Sequence, residues 1–249
     1  MCLEKLCGRA RLFLGWMPEK RDSLLDIGCA SSFMLQLLGK KSRKRFGLDV
    51  ELGKVVEGKS RFDYIDYVCG SGEKLPFKVN SIDVVTFFEV LEHVNNEKEF
   101  MEEICRVLKP NGVIMLSVPN KGAVACMDID NVLFTPILSI SKRLGLFKNI
   151  SNYYLKTHRH YSVHDLQELF RPFFKIEKVY YGGLLVNQVG FLIYKSLYIL
   201  LLLLRINLNC KLFRLLHGGM ERVSSWDFDH SFGRMSDKLS IYAVKIIQK

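Results

Sequence analysis

The stretch LLDIGCASSFMLQLL, residues 24–38, decides the fold. An apolar run ends in an acid, Asp26, and a glycine, Gly28. Small residues follow, and an apolar helical pattern begins at Phe33. A strand entering a tight turn and then a helix writes this pattern. Backbone N–H groups at such a helix start can face an anionic or polar ligand. Gly28 permits the turn, whereas Ala30 and Ser32 stand where a glycine-rich turn would carry further glycines. Both are small, and the turn is expected to survive with negative φ at each.

Outward from this stretch, short apolar runs alternate with helical patterns. RFGLDV (45–50) is a strand ending in an acid, Asp49, whose carboxylate at that place can accept both hydroxyls of a ribose. YIDYVCG (64–70) is another strand. SIDVVTFFEV (81–90) is nearly continuous in apolar character, as expected of a strand buried on both faces. NEKEFMEEICRVLKPNG (96–112) is the clearest helix, with Asn96 as cap, Phe100, Ile104, Val107 and Leu108 in one stripe, and Pro110 and Gly112 as its stop. GVIMLSVP (112–119) is the next strand. Strands alternating with helices imply right-handed crossovers and a mostly parallel, doubly wound α/β sheet.

After Pro119 the rhythm breaks. SVHDLQELFRPF (162–173) reads as a helix capped by Ser162, with Leu166, Leu169 and Phe170 inward. KIEKVYYGG (175–183) and KLSIYAVKII (238–247) read as the last two strands. The economical organisation is one domain over residues 1–249. It has an N-terminal helical segment (1–21), an insertion capping the substrate (120–157) and an apolar, basic helical insertion (184–238).

The composition, 49% hydrophobic and 25% charged, is that of an ordinary globular protein and excludes wholesale disorder. A formal net charge of +10 favours acidic partners: nucleic acid, anionic membrane or phosphorylated substrates. The seven cysteines are scattered without a Cys-x-x-Cys pair, which argues against a disulfide framework or structural zinc and fits a reducing, cytoplasmic compartment. The first residues, MCLEKLCGRARLFLGW, carry no long apolar core and do not read as a signal peptide.

VCGSGEKLPFKVNSIDVVTFFEVLEHV (68–94) and RVLKPNGVIMLSVPN (106–120) resemble class I S-adenosylmethionine-dependent methyltransferases. The likeness is closest to the branch acting on small molecules and lipids. It covers residues 22–120, and more weakly 156–182. The resemblance implies a Rossmann-like seven-stranded sheet ending in an antiparallel hairpin. It also implies that S-adenosylmethionine is held by Asp26, Gly28, Ala30, Asp49, Ser71, Gly72 and Glu73. Ser71 stands where the family often has an acid that bonds the adenine amino group. A serine hydroxyl accepts that bond more weakly than a carboxylate.

Glu89, Glu92 and His93 follow the fourth strand. If the chain turns helical there, the three fall on one face and can hold a divalent ion such as magnesium. Related quinone-precursor and RNA 3′-end methyltransferases carry similar metal-binding clusters. Many relatives with Glu-His-Val use no metal, and both readings stand. His93, or His158 or His160 of THRHY (157–161), is the candidate base for the acceptor.

GLLVNQVGFLIYKSLYILLLLLR (183–205) is interrupted by Asn187, Gln188 and Lys195. A single membrane crossing would separate the two strands that flank it. The segment therefore reads as non-spanning, with Lys195, Arg205, Lys211 and Arg214 meeting anionic lipid. A helix buried against the sheet or in a dimer interface is the alternative. The function expected is methyl transfer to a hydrophobic or lipid-linked small molecule, at a membrane surface. A nucleic-acid methyltransferase is one alternative. It is disfavoured because FFEV stands where enzymes methylating base amino groups carry Asn/Asp-Pro-Pro-aromatic. A non-catalytic cofactor-binding scaffold is the other.

Overall fold

The structure, a computed structural model, describes residues 8–19, 21–30, 32–122, 159–184 and 223–246, with the single positions 143 and 219. Most of the two expected insertions, the long apolar run from residue 185 onward and His158 lie outside these residues. Among the described residues no helix is long and apolar enough to cross a membrane.

The elements are α1 (Gly8–Trp16), β1 (Arg21–Ile27), α2 (Phe33–Leu38), β2 (Ser42–Asp49), α3 (Leu52–Arg61), β3 (Asp66–Cys69), β4 (Ile82–Phe88), α4 (Glu97–Val107), β5 (Leu108–Pro119), α5 (Val163–Phe170), β6 (Phe174–Gly182) and β7 (Lys238–Lys245). They form one seven-stranded sheet in the order β3-β2-β1-β4-β5-β7-β6, Rossmann-like and mostly parallel with antiparallel end strands. The chain divides into two compact units. One comprises Ala10–Pro119, Tyr161–Tyr180 and Leu239–Lys249 and carries nearly all of the sheet; the other comprises Met1–Arg9, Asn120–His160 and Tyr181–Lys238.

The central strands are apolar because both of their faces are covered. Leu24, Val84, Val113 and Met115 pack on one face with Phe13, Met17, Leu35 and Leu38. The opposite face carries Phe87, whose ring meets Phe100 of α4 edge-on at 5.2 Å. The Asn96 side chain accepts the N–H groups of Lys98 and Glu99, capping α4 as its sequence implies. Ser162 and Asp165 form a reciprocal capping box on α5.

Two sequence expectations shift here. Pro110 and Gly112 do not merely stop α4: β5 already begins at Leu108, opposite Ile82. The next matched pair is Val84 with Val113, so residues 109–112 bulge from the ladder, with Asn111 at φ 58°. The run SFMLQLLGK (32–40) reads in sequence as one helix, but α2 ends at Leu38 and residues 39–41 tighten into a 3₁₀ turn before β2.

Parallel register sets the carboxyl ends of the strands level. Ile27 sits beside Leu48 and Phe87, Asp49 beside Cys69, and Phe88 beside Ser117. β2 and β3 lie to one side of β1, with β4 and β5 to the other. This reversal is the switch point at which open α/β sheets bind ligands, outside the carboxyl ends.

Candidate functional site

The site begins in the turn after β1. Gly28, Ala30 and Ser32 have φ of 69°, 40° and 61°. The expectation of negative φ at Ala30 and Ser32 is therefore corrected. The turn keeps the left-handed conformation that glycine would supply, at a cost of roughly 1–2 kcal/mol for each non-glycine residue. Two anchors hold it there. Leu48 O accepts the N–H groups of Gly28 and Cys29 at 2.7 and 3.1 Å. Asp49 Oδ2 accepts the Ala30 N–H at 3.0 Å. Gly28 is also required by packing, since a Cβ there would lie 2.5 Å from Val90 Cγ2.

The two strand-end acids differ in environment. Asp26 is 3% exposed, and its Oδ1 accepts the Thr86 hydroxyl of the neighbouring strand at 2.6 Å. It braces the base of the turn. Asp49 carries the turn on one oxygen, and its other oxygen accepts the Glu51 N–H at 2.9 Å. Burial pushes the Cys29 thiol up to about 12, and the negative charge of Asp26 adds to the effect. That thiol stays protonated near neutral pH and is a poor nucleophile.

Past β3, Ser71 Oγ donates to Glu73 Oε2 and accepts the Glu73 N–H, both at 3.2 Å. Glu73 Oε1 takes the N–H groups of Asn95 and Asn96 at 2.7 and 2.8 Å. Burial alone would raise the Glu73 pKa, but the donors from Asn96, Asn95 and Ser71 outweigh it and lower it. Glu73 thus ties the loop after β3 to the start of α4. A Cβ on Gly72 would meet the Phe100 ring at 2.4 Å, which accounts for glycine there. The following Leu-Pro-Phe is clamped from α4. Glu103 accepts the Leu75 N–H, and Arg106 donates to the carbonyls of Leu75 and Phe77.

The end of β4 corrects the metal reading. Glu89 has φ 55° and stands outside any helix, while residues 91–93 form a separate 3₁₀ turn. The single helical face that would align Glu89, Glu92 and His93 therefore does not form. Glu89 Oε1 accepts the Ser117 hydroxyl at 2.8 Å, and Glu92 is 3% exposed. Among the described residues, no group of three or more His, Cys, Asp and Glu side chains is placed to hold a metal ion. His93 is half-buried, and its backbone N–H donates to Val90 O.

Some residues of this region carry no sequence signal of their role. Tyr161, 5% exposed, donates its hydroxyl to Glu97 Oε1 at 2.6 Å and lies 3.1 Å from Leu91 O. Its N–H donates to Pro119 O. It pins the loop carrying Glu92 and His93. Only its place just before the Ser162 capping box hinted at an ordered position. The other unit is held by Asn120, whose side chain donates to the carbonyls of Ser236 and Arg234. His160 is half-buried in that unit.

Residues 25–116 match the family described as "Methyltransferase domain". The chain is 34% identical over 98 residues to a probable S-adenosylmethionine-dependent methyltransferase of Mycolicibacterium smegmatis, covering 39% of this chain and 38% of that protein. It is 31% identical over 108 residues to a ubiquinone biosynthesis O-methyltransferase of Azorhizobium caulinodans, covering 42% of this chain and 43% of that one. The matches span about two fifths of the length of these curated relatives. A solved phosphoethanolamine N-methyltransferase 2 of Haemonchus contortus, in complex with phosphomonomethylethanolamine and S-adenosylhomocysteine, superposes with a TM-score of 0.61. The identity is 13%, covering 96% of this chain and 52% of that one. That likeness shows the fold alone.

Proposed function

Residues 25–116 belong to the class I S-adenosylmethionine-dependent methyltransferase family, and from that premise we propose that this protein transfers the methyl group of S-adenosylmethionine to a hydrophobic or lipid-linked small molecule. One observation carries the reading: the left-handed turn at residues 28–32 is tied to the Asp49 carboxylate at the sheet's switch point. The residues fit the cofactor. Each Asp49 oxygen accepts one backbone N–H and keeps a lone pair for a ribose hydroxyl. Ser71 Oγ, held by Glu73, accepts the adenine amino group. Gly28, Ala30 and Gly72 let the backbone approach, with Asp26 and Thr86 bracing the turn from below.

When bound, S-adenosylmethionine supplies a methyl group already activated by a sulfonium. The chain's own task is to align the acceptor, exclude water and, for a hydroxyl acceptor, take its proton. His93 is the proposed base on the loop after β4, with His158 and His160 of the following segment as the other candidates. Tyr161 positions the His93 loop. Magnesium has no part in this reading, because the carboxylates after β4 are separated by the bend at Glu89.

The substrate class and a membrane surface are supported by sequence. Residues 184–220 contain no acid, and Lys195, Arg205, Lys211 and Arg214 punctuate their apolar run. Such a segment binds anionic lipid through both burial and charge. The relative named for ubiquinone biosynthesis supports a hydrophobic acceptor. The test is incubation with isotopically labelled S-adenosylmethionine and fractionated cell extract. The label is expected in an organic-soluble small molecule. Label appearing in nucleic acid instead, or in no fraction, would overturn the proposal.

A further inference from the structure

We propose a second ligand site at the opposite end of the sheet, one that takes a small organic anion: a planar apolar ring bearing a phosphate or carboxylate. A concavity of about 290 Å³ opens beside the amino ends of β1, β2 and β4, lined by Asp22, Ser23, Lys44, Phe46, Phe77 and Lys78 among others. Along β1 it lies roughly 15 Å from the carboxyl end, at about 3.3 Å per residue. It is therefore separate from the proposed methyl-transfer site.

Its lining has two chemical halves. Phe46 and Phe77 are half-buried and stacked edge-on, with ring centroids 5.3 Å apart. They leave an apolar wall that the core does not consume. Arg106, bonded to the Phe77 carbonyl at 2.8 Å, fixes that wall. The other half is charged. Asp22 forms an exposed pair with Arg43 at 3.5 Å, and Lys109 is answered by Asp83 at 2.8 Å. Asp83 is further held by the Ser23 hydroxyl at 2.7 Å. Lys44 and Lys78 are exposed, and neither has an acidic partner among the described residues. Two exposed cations beside two half-buried rings select a ligand that offers an anion and a flat apolar body together.

The probes are phenyl phosphate, inorganic phosphate and benzyl alcohol, titrated into the full chain by NMR. Phenyl phosphate is expected to bind at least about tenfold more tightly than either of the others, with shifts at residues lining the concavity. The Lys44→Glu, Lys78→Glu double variant is expected to weaken it at least about tenfold. Its binding of S-adenosylhomocysteine and its melting temperature should stay unchanged, which separates loss of the site from loss of the fold. Equal affinity for phosphate and phenyl phosphate would reduce the site to a diffuse basic surface and overturn the proposal. So would phenyl phosphate binding unaltered in the double variant, or no binding at all.

Discussion

The Asp49 carboxylate holds the Ala30 N–H at 3.0 Å, joining the turn after β1 to the end of β2. The bond explains how a turn short of glycines keeps a glycine-like shape, since the anchor at Ala30 offsets the strain of its 40° φ. Ala30→Gly relieves that strain but adds flexibility to the unfolded chain, and these nearly cancel. Chemical denaturation should show stability unchanged or raised by up to about 1 kcal/mol. A loss larger than that would mean the alanine side chain itself supports the turn. Gly28→Ala should behave oppositely. Its Cβ meets Val90 Cγ2 at 2.5 Å and sits at φ 69°, so a loss of about 1–3 kcal/mol is expected.

Tyr161 supplies a second test. Its hydroxyl bonds Glu97 and lies close to Leu91 O. Tyr161→Phe should cost about 1–3 kcal/mol in urea unfolding, because it removes the hydroxyl's bond to the Glu97 carboxylate. It should also increase amide exchange across residues 91–97. A destabilised variant with unchanged exchange there would show that Tyr161 supports the fold without positioning the His93 loop.

Glu73 gives a pH signature. Its pKa is lowered in the folded protein, so its stabilisation is fully present above the ordinary unfolded value of about 4.3. That stabilisation is lost as pH falls through the folded value. Glu73→Gln should therefore be less stable than wild type at neutral pH, with the gap closing below about pH 4. A gap that stays constant into acid would mean the carboxylate charge contributes nothing.

The metal question is settled by titration. Glu89, Glu92 and His93 lack a shared helical face, so magnesium or manganese should not shift the melting temperature. Labelled methyl transfer should persist in chelator. A shift that disappears in Glu89→Gln would restore the metal reading.

Much of this was legible in the sequence, and the reasons differ by element. The strands after residues 24 and 81 announce themselves because burial on both faces demands apolar runs. Asn96 and Ser162 announce the helix starts because their capping bonds are local. Acids at the ends of two successive apolar runs, Asp26 and Asp49, pointed to the turn and its partner strand. The backbone at Ala30 and Glu89 was hidden, since each N–H is held by a partner distant in sequence: Asp49 Oδ2 for Ala30 and Ser117 O for Glu89. The roles of Thr86 and Tyr161 were hidden for the same reason, as their partners lie 60 and 64 residues away.

The central claim is that Asp49 and the turn it holds bind S-adenosylmethionine. Calorimetric titration with S-adenosylhomocysteine, on wild type and on Asp49→Asn, tests it most directly. The account predicts one site per chain in wild type. It also predicts a loss of about 10- to 100-fold in the variant, the worth of hydrogen bonds to a charged group. A wild type that binds neither the product nor its methylated parent, or a folded variant with undiminished affinity, would contradict it.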